Sequence, residues 1–324
     1  MRKLISIREF PIFVVFVLFY LTAGLGNHQI FTTSGLHDIL FGSAIVALLA
    51  VAETLIIVMK HIDLSIGSVI GFSSYLIGKN ASEGHGLFFC MSIGVGLGLL
   101  VGALNGLLVA YFRLPSLVVT LGTLYLVRGY FSQVVGGDFI NSGQVPKLLT
   151  SMATHTFVKV PLLFIVSLIV ALIVGLYMRN MRSGRDLYAI GSNHSAALLA
   201  GINVAHRTFW AFTAAGGIAG FAGAVLLARY GQAQANSGLG IELNVVAACV
   251  VGGVAIAGGV GTVYGAIIGA ILLQTIVLAL GALGVSQFWQ GVVNGALLIA
   301  AISLDKILSM RSVRTQIMRK VQHD

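Results

Sequence analysis

Apolar residues fill long, nearly unbroken blocks along this chain, and polar residues collect in the short gaps between them. Roughly 20 predominantly apolar residues suffice to cross the hydrocarbon layer as a helix. On that criterion the blocks predict spans at 11–26, 38–59, 64–79, 87–111, 116–136, 160–178, 207–229, 242–258, 261–281 and 287–304. The third and eighth are short and glycine-broken. They are expected to be discontinuous helices inside the bundle, because irregular backbone survives at membrane depth only where protein or a cavity satisfies it. The expected fold is therefore all-α: a polytopic membrane helix bundle of about ten transmembrane helices, forming one domain over 1–324.

Basic residues orient the spans. With the N-terminus inside, Arg2, Lys3, Arg8, Lys60, Arg113, Arg179, Arg182, Arg185, Arg207, Lys306, Arg311, Arg314, Arg319 and Lys320 all fall on the cytoplasmic side, 14 of the 19 Lys and Arg. Cationic loops are retained in the cytoplasm, so both termini are expected there. The first block has no small-residue cleavage site and reads as an anchor rather than a signal peptide.

Composition narrows the class further. The chain is 57% hydrophobic and only 9% charged, with 41 glycines. Soluble domains are about a quarter charged, so this composition belongs in a bilayer, where small residues let helices approach closely. The net charge of +9 is explained by cytoplasmic loop ends, and nucleic acid is not an expected partner. Cys90 and Cys249 lie in apolar runs without partner spacing and read as packing residues.

One sizeable polar segment interrupts this pattern, 179–206, containing GRDLYAIGSNHSAALLAGINV at 184–204. Ser195–Ala200 reads as a short helix with Ser192 or Asn193 as N-cap and Gly201 as its stop. Its apolar residues are too few to span anything. Such an element either packs on its own helices or fits a groove on another protein.

Polar groups within the spans are the other candidates. Glu53, Arg128 and Glu242 are charged at depth, where ionisable residues mark pathways or structural pairs. Asp63 and Ser65 precede the short third helix and are placed to cap it, or to line a translocation path beside it. Asn105, Thr120 and Thr123 add neutral donors and acceptors, and Phe72, Tyr75 and Tyr125 add aromatic faces. Gly94, Gly98, Gly102 and Gly106 recur every four residues, a stripe that admits a close neighbouring helix. Gly67 and Gly71 repeat the spacing and are expected to pack in the same way.

No fuel site is present. The segment nearest to a phosphate-binding loop, SSYLIGKN at 73–80, lacks the first glycine and ends in Asn80. Neither a zinc-ligand spacing nor a nucleophile elbow occurs, so no enzymatic role, metal or cofactor is expected.

Four stretches carry a resemblance. GRDLYAIGSNHSAALLAGINV resembles the cytoplasmic coupling loop of permeases in the bacterial ribose/galactose/arabinose class of ABC importers. HIDLSIGSVIG (61–71), RLPSLVVTLGTLYLVRG (113–129) and the pair ELNVVAACVVGG and GGVGTVYGAIIGA (242–253 and 258–270) resemble further signatures of that family, in its order. Lys60 and His61 stand where the family usually has glycines, and Asn294 where relatives often carry a basic residue. The resemblance implies import of a pentose, hexose or related small polyol, including the furanosyl signal autoinducer-2. It implies a separate ATPase received at Gly191, Ser192, Asn193, His194, Ser195, Ala196, Ala197, Gly201 and Ile202. It also implies an extracytoplasmic sugar-binding protein, a second permease chain (a copy or a sister) and a place in the bacterial inner membrane. The competing expectation is an ion-coupled secondary transporter, for which Glu53 and Arg128 are the main supports.

Overall fold

A computed structural model describes residues 10–286 together with 289, 291, 292, 295, 296, 299 and 303. Most of the expected tenth span, Asn294 and the terminal basic clusters lie outside the described residues. Twelve α-helices are bounded among the described residues, in order: α1 (Phe10–Gly26), α2 (Thr33–Ile57), α3 (Ile66–Ser82), α4 (Leu87–Ala110), α5 (Ser116–Val135), α6 (Lys147–Thr154), α7 (Leu162–Asn180), α8 (Arg182–Ser192), α9 (His194–Leu199), α10 (Val204–Tyr230), α11 (Ile241–Val251) and α12 (Val263–Ala282). Among the described residues, six of them (α2, α4, α5, α7, α10 and α12) are long and apolar enough to cross a membrane. Segments within α1 and α11 are shorter apolar helices. The only sheet among the described residues is the hairpin Thr156–Phe157/Val160–Pro161. Val158 and Lys159, its two loop residues, have φ of 51° and 65°, the left-handed pair that a tight hairpin demands.

Enclosure divides the bundle. Most of α2, α3 and α10 is buried, whereas α4, α5 and α7 expose Leu, Ile and Val along their flanks. In lipid such exposed apolar flanks are the normal outer surface. The glycine stripe of α4 lies against α10. A Cβ at Gly98 would collide with the Gly216 carbonyl oxygen, one at Gly102 with that of Phe212, and one at Gly220 with that of Gly94. Two backbones thus meet with no side chain between them, the close approach that small residues permit.

The eighth expected span is corrected. Its helix ends at Val251 rather than 258. Gly253, Gly258, Gly259 and Gly261 then adopt φ of 85°, 77°, 73° and 138°, a backbone no α-helix contains. At about 1.5 Å per residue, α11 reaches only about 16 Å, roughly half the hydrocarbon thickness. Residues 231–240 precede it as an irregular descent that meets α3 at Gly67 and Gly71.

The two ends of the bundle gather different segments. At one end lie the break at 58–65, the turn at 252–262 and the α8–α9 hairpin: Gly191 abuts Val58, and Gly258 abuts the Lys60 side chain. At the other, Ile140 and Ala233 exchange backbone hydrogen bonds of 2.8 and 3.1 Å, and Ile140 also covers Gly78.

Candidate functional site

The polar segment is a helical hairpin rather than a loop. Helix α8 buries Leu187 and Ile190 on one face and is clamped to α10 by Arg207, whose Nε and Nη2 both reach Asp186 Oδ2 at 2.9 Å. After one extended residue, Asn193 caps α9 by accepting the Ala196 N–H through Oδ1 at 3.0 Å. Gly201, at φ 77°, ends it: its N–H donates to Leu198 O, and the Ile202 N–H donates to Ala197 O. This double bond pattern is the Schellman stop, for which glycine is favoured. Within α9 only Ala197 is buried, while Leu198 and Leu199 are 53% and 91% exposed. Ser192, His194, Ser195 and Ala196 are exposed around them.

The hairpin's base touches one break in the bundle and is hydrogen-bonded to the turn that follows α11. Gly191 is so close to Val58 O that a Cβ there would collide with it. That same oxygen accepts the Gly259 N–H at 2.7 Å, and the Tyr188 hydroxyl donates to Gly261 O at 2.9 Å. The sequence reading missed Asp186, Arg207 and Tyr188 as partners, because their mates lie far away in the chain.

The polar groups at depth form a single network around the break before α3. The Asp63 N–H donates to Glu53 Oε1 at 2.9 Å. Asp63 Oδ1 accepts from the Ser65 N–H at 2.9 Å and the Ser65 hydroxyl at 2.6 Å. Asn105 Nδ2 donates to Ser65 Oγ at 2.9 Å. Thr120 Oγ1 donates to Ile62 O at 3.1 Å, and the Ile62 N–H reaches Ser116 Oγ at 3.3 Å. Residues from α2, α4 and α5 therefore converge on Ile62, Asp63 and Ser65 within the break.

One expectation changes here. Ser65 stands at the N-cap of α3 but makes no side-chain cap bond, because its hydroxyl is taken up by Asp63 and Asn105. Glu53, Asp63, Ser65, Asn105 and Thr120 are each at most 1% exposed and packed against protein. Thr123 bonds back to its own helix, at Val119 O and Thr120 O. Phe72 is buried against Phe131 with ring centroids 5.2 Å apart.

Arg128 works on backbone. Its guanidinium donates to Ser237 O at 2.7 Å, Gly67 O at 3.0 Å and Ala235 O at 3.2 Å. It thereby ties the descending segment to the first turn of α3. Glu242 lies at the same place, and a Cβ at Gly67 would strike its Oε2. A Cβ at Gly71 would strike Ser237 O. These two glycines therefore make room for the descent and a carboxylate, not for a neighbouring helix as the spacing suggested.

A helix bundle with six apolar helices of membrane-crossing length, irregular internal segments and a capped hairpin at one end has the organisation of a membrane transport subunit. The model for the permease component of the branched-chain amino acid transport system matches residues 35–302, and the chain belongs to this permease family. It is similar to the autoinducer 2 import system permease protein LsrC of Enterobacter sp. (strain 638), 34% identical over 318 residues, covering 98% of this chain and 92% of that protein. The LsrC of Klebsiella pneumoniae subsp. pneumoniae is 34% identical over 316 residues, 98% and 91% of the two chains. That of Salmonella typhimurium is 31% identical over 298 residues, 92% and 85% of the two chains. No solved structure matches the chain. The protein is thus a multi-pass transport subunit of an ABC importer in the inner membrane, not an enzyme, and works with an ATPase and a substrate-binding protein.

Proposed function

We propose that this permease carries a small, neutral, hydroxyl-rich solute of the autoinducer-2 or monosaccharide class, and that its α8–α9 hairpin is where the ATPase grips. The observation that carries the second part is Leu199, an aliphatic side chain 91% exposed at the tip of a doubly capped helix in a polar segment. An apolar knob on a rigid capped helix is suited to a groove on a soluble partner. The hairpin's contact with Val58 and its hydrogen bond to Gly261 then give any displacement a direct route to both breaks, a hinge-type transmission. On this reading the hairpin end is cytoplasmic and the 140/233 end faces outward. A second permease chain completes the assembly across the exposed apolar flanks.

For the solute, the LsrC relatives supply the class and charge supplies a physical argument. A neutral polyol is matched best by uncharged donors and acceptors, whereas a zwitterion favours charged or dipolar groups on its path. Arg128 is engaged by three carbonyls, and Glu53 and Asp63 are closed inside the bundle. The test is uptake by proteoliposomes holding this chain, its ATPase and the binding protein. ATP-dependent entry of an autoinducer-2-type furanosyl polyol or ribose is expected. Entry of leucine, or entry driven by a proton gradient without ATP, would overturn the reading.

A further inference from the structure

The descending segment 231–240 has a feature that neither the family match nor the relatives' names assign. Its sequence, GQAQANSGLG, alternates amide side chains with alanine. Ala233 is buried and Ala235 half-buried, while Gln232, Gln234 and Asn236 are exposed; the backbone pairs at Ala233 and turns from Ala235 onward, with the Ser237 N–H donating to Gln234 O at 2.8 Å. All three line one cavity of about 570 Å³ between the end of α10 and the start of α11, with Tyr230 and Ser237. Among the described residues, none of these three amide side chains has a hydrogen-bond partner, so each presents two donors and an acceptor to the cavity.

The backbone beneath them is fixed. Ala233 is paired with Ile140 in both directions, and the Ala235 and Ser237 carbonyls are held by Arg128. The Gln234 N–H donates to Ser237 Oγ at 3.0 Å. Gly67, Gly71 and Gly238 allow the segment to lie directly on α3. A surface loop would need none of this anchoring. Irregular backbone at membrane depth persists where it lines a water-filled cavity, and a rigid support lowers the ordering cost of binding.

We propose that Gln232, Gln234 and Asn236, with the Tyr230 ring beside them, form a polyol-binding subsite on the outward half of the translocation path. This rests on the function proposed above and deepens it. Uncharged amides match the donors and acceptors of sugar hydroxyls without holding the solute by charge, so the solute is passed on rather than retained. An exposed tyrosine ring gives an apolar face for C–H edges.

The test uses the full importer in proteoliposomes with the triple variant Gln232→Ala, Gln234→Ala, Asn236→Ala, and separately the variant Gln234→Cys in the otherwise unchanged chain. Loss of three neutral hydrogen-bonding groups is expected to lower uptake of the furanosyl polyol by roughly tenfold or more, with assembly of the importer retained. A Gln234→Asn, Asn236→Gln pair, which keeps the amides, is expected to recover at least part of that loss. A membrane-impermeant thiol reagent is expected to label Gln234→Cys from the outer side in cells, since Cys90 and Cys249 are buried. Unchanged uptake by an assembled triple variant, or labelling from the inner side alone, overturns the subsite. If the wild-type importer moves leucine and no polyol, the solute reading fails instead, whatever the triple variant does.

Discussion

The backbone oxygen of Val58 accepts the Gly259 N–H at 2.7 Å, joining the break before α3 to the turn that follows α11 across about 200 residues of sequence. Gly191, the penultimate residue of α8, lies against that same oxygen. Three segments are therefore in contact at one atom. Substituting Gly191→Val places side-chain carbon where Val58 O already stands. The expected result is loss of most uptake, with membrane insertion retained and thermal stability reduced by about 1–3 kcal/mol, as for overpacking elsewhere. ATP-dependent uptake and a melting curve on the purified chain check both parts.

The α4–α10 contact supplies a paired comparison. Gly98→Ala drives a methyl group into the Gly216 carbonyl, whereas a Cβ at Gly96 meets nothing within 4 Å. The first change is expected to destabilise by about 1–3 kcal/mol. The second is expected to be neutral or to stabilise by up to about 1 kcal/mol, since alanine is the better helix former. Parallel melting of the two variants decides the matter, and equal melting temperatures would contradict the packing described.

Asn105 holds Ser65, which holds Asp63, and all three are buried. Asn105→Ala leaves the Ser65 hydroxyl without its donor and opens a polar cavity. A cost of about 1–3 kcal/mol is expected, the penalty of a buried polar group left unsatisfied. Ser65→Ala is expected to cost a similar amount, and the double variant less than the sum, because both remove the same bond. Additive losses would show that the pair does not interact.

His61 makes the break sensitive to acid. Burial, and next the nearby His194, lower its pKa from 6.5 to about 4. Lys60, Arg113 and His194 line the same cavity, and the described lining contains no carboxylate to offset them. Because the unfolded chain binds this proton near pH 6.5 and the folded chain only near 4, the unfolded state holds more protons between those values. Stability is therefore full above pH 6.5 and falls as the pH drops toward 4. His61→Gln is expected to remove this segment of the slope in melting experiments between pH 7 and 4.

Much of this architecture was legible in sequence. The span blocks, the short α3 and the Asn193–Gly201 caps follow from local rules about apolar length, N-cap oxygens and left-handed glycine. The helical hairpin was not, because Arg182–Ser192 is polar and its stability comes from Asp186 meeting Arg207 on another helix. Sequence spacing also could not tell a glycine that faces a helix from one that faces a carboxylate, as Gly98 and Gly67 do respectively. Nor did it reveal that Asp63 and Glu53 share one network, since their partners lie 10 to 42 residues apart. The alternation of GQAQANSG was readable, yet at only a few residues it carries little weight without the cavity it lines.

The central claim is that force enters at α9 from the cytoplasm. Its most direct test is a single cysteine at Ser195, exposed beside the knob, probed with a membrane-impermeant maleimide in sealed vesicles of both orientations. Labelling in inverted vesicles alone, blocked once the ATPase is bound, is the predicted result. Labelling in right-side-out spheroplasts, or labelling indifferent to the bound ATPase, would contradict it.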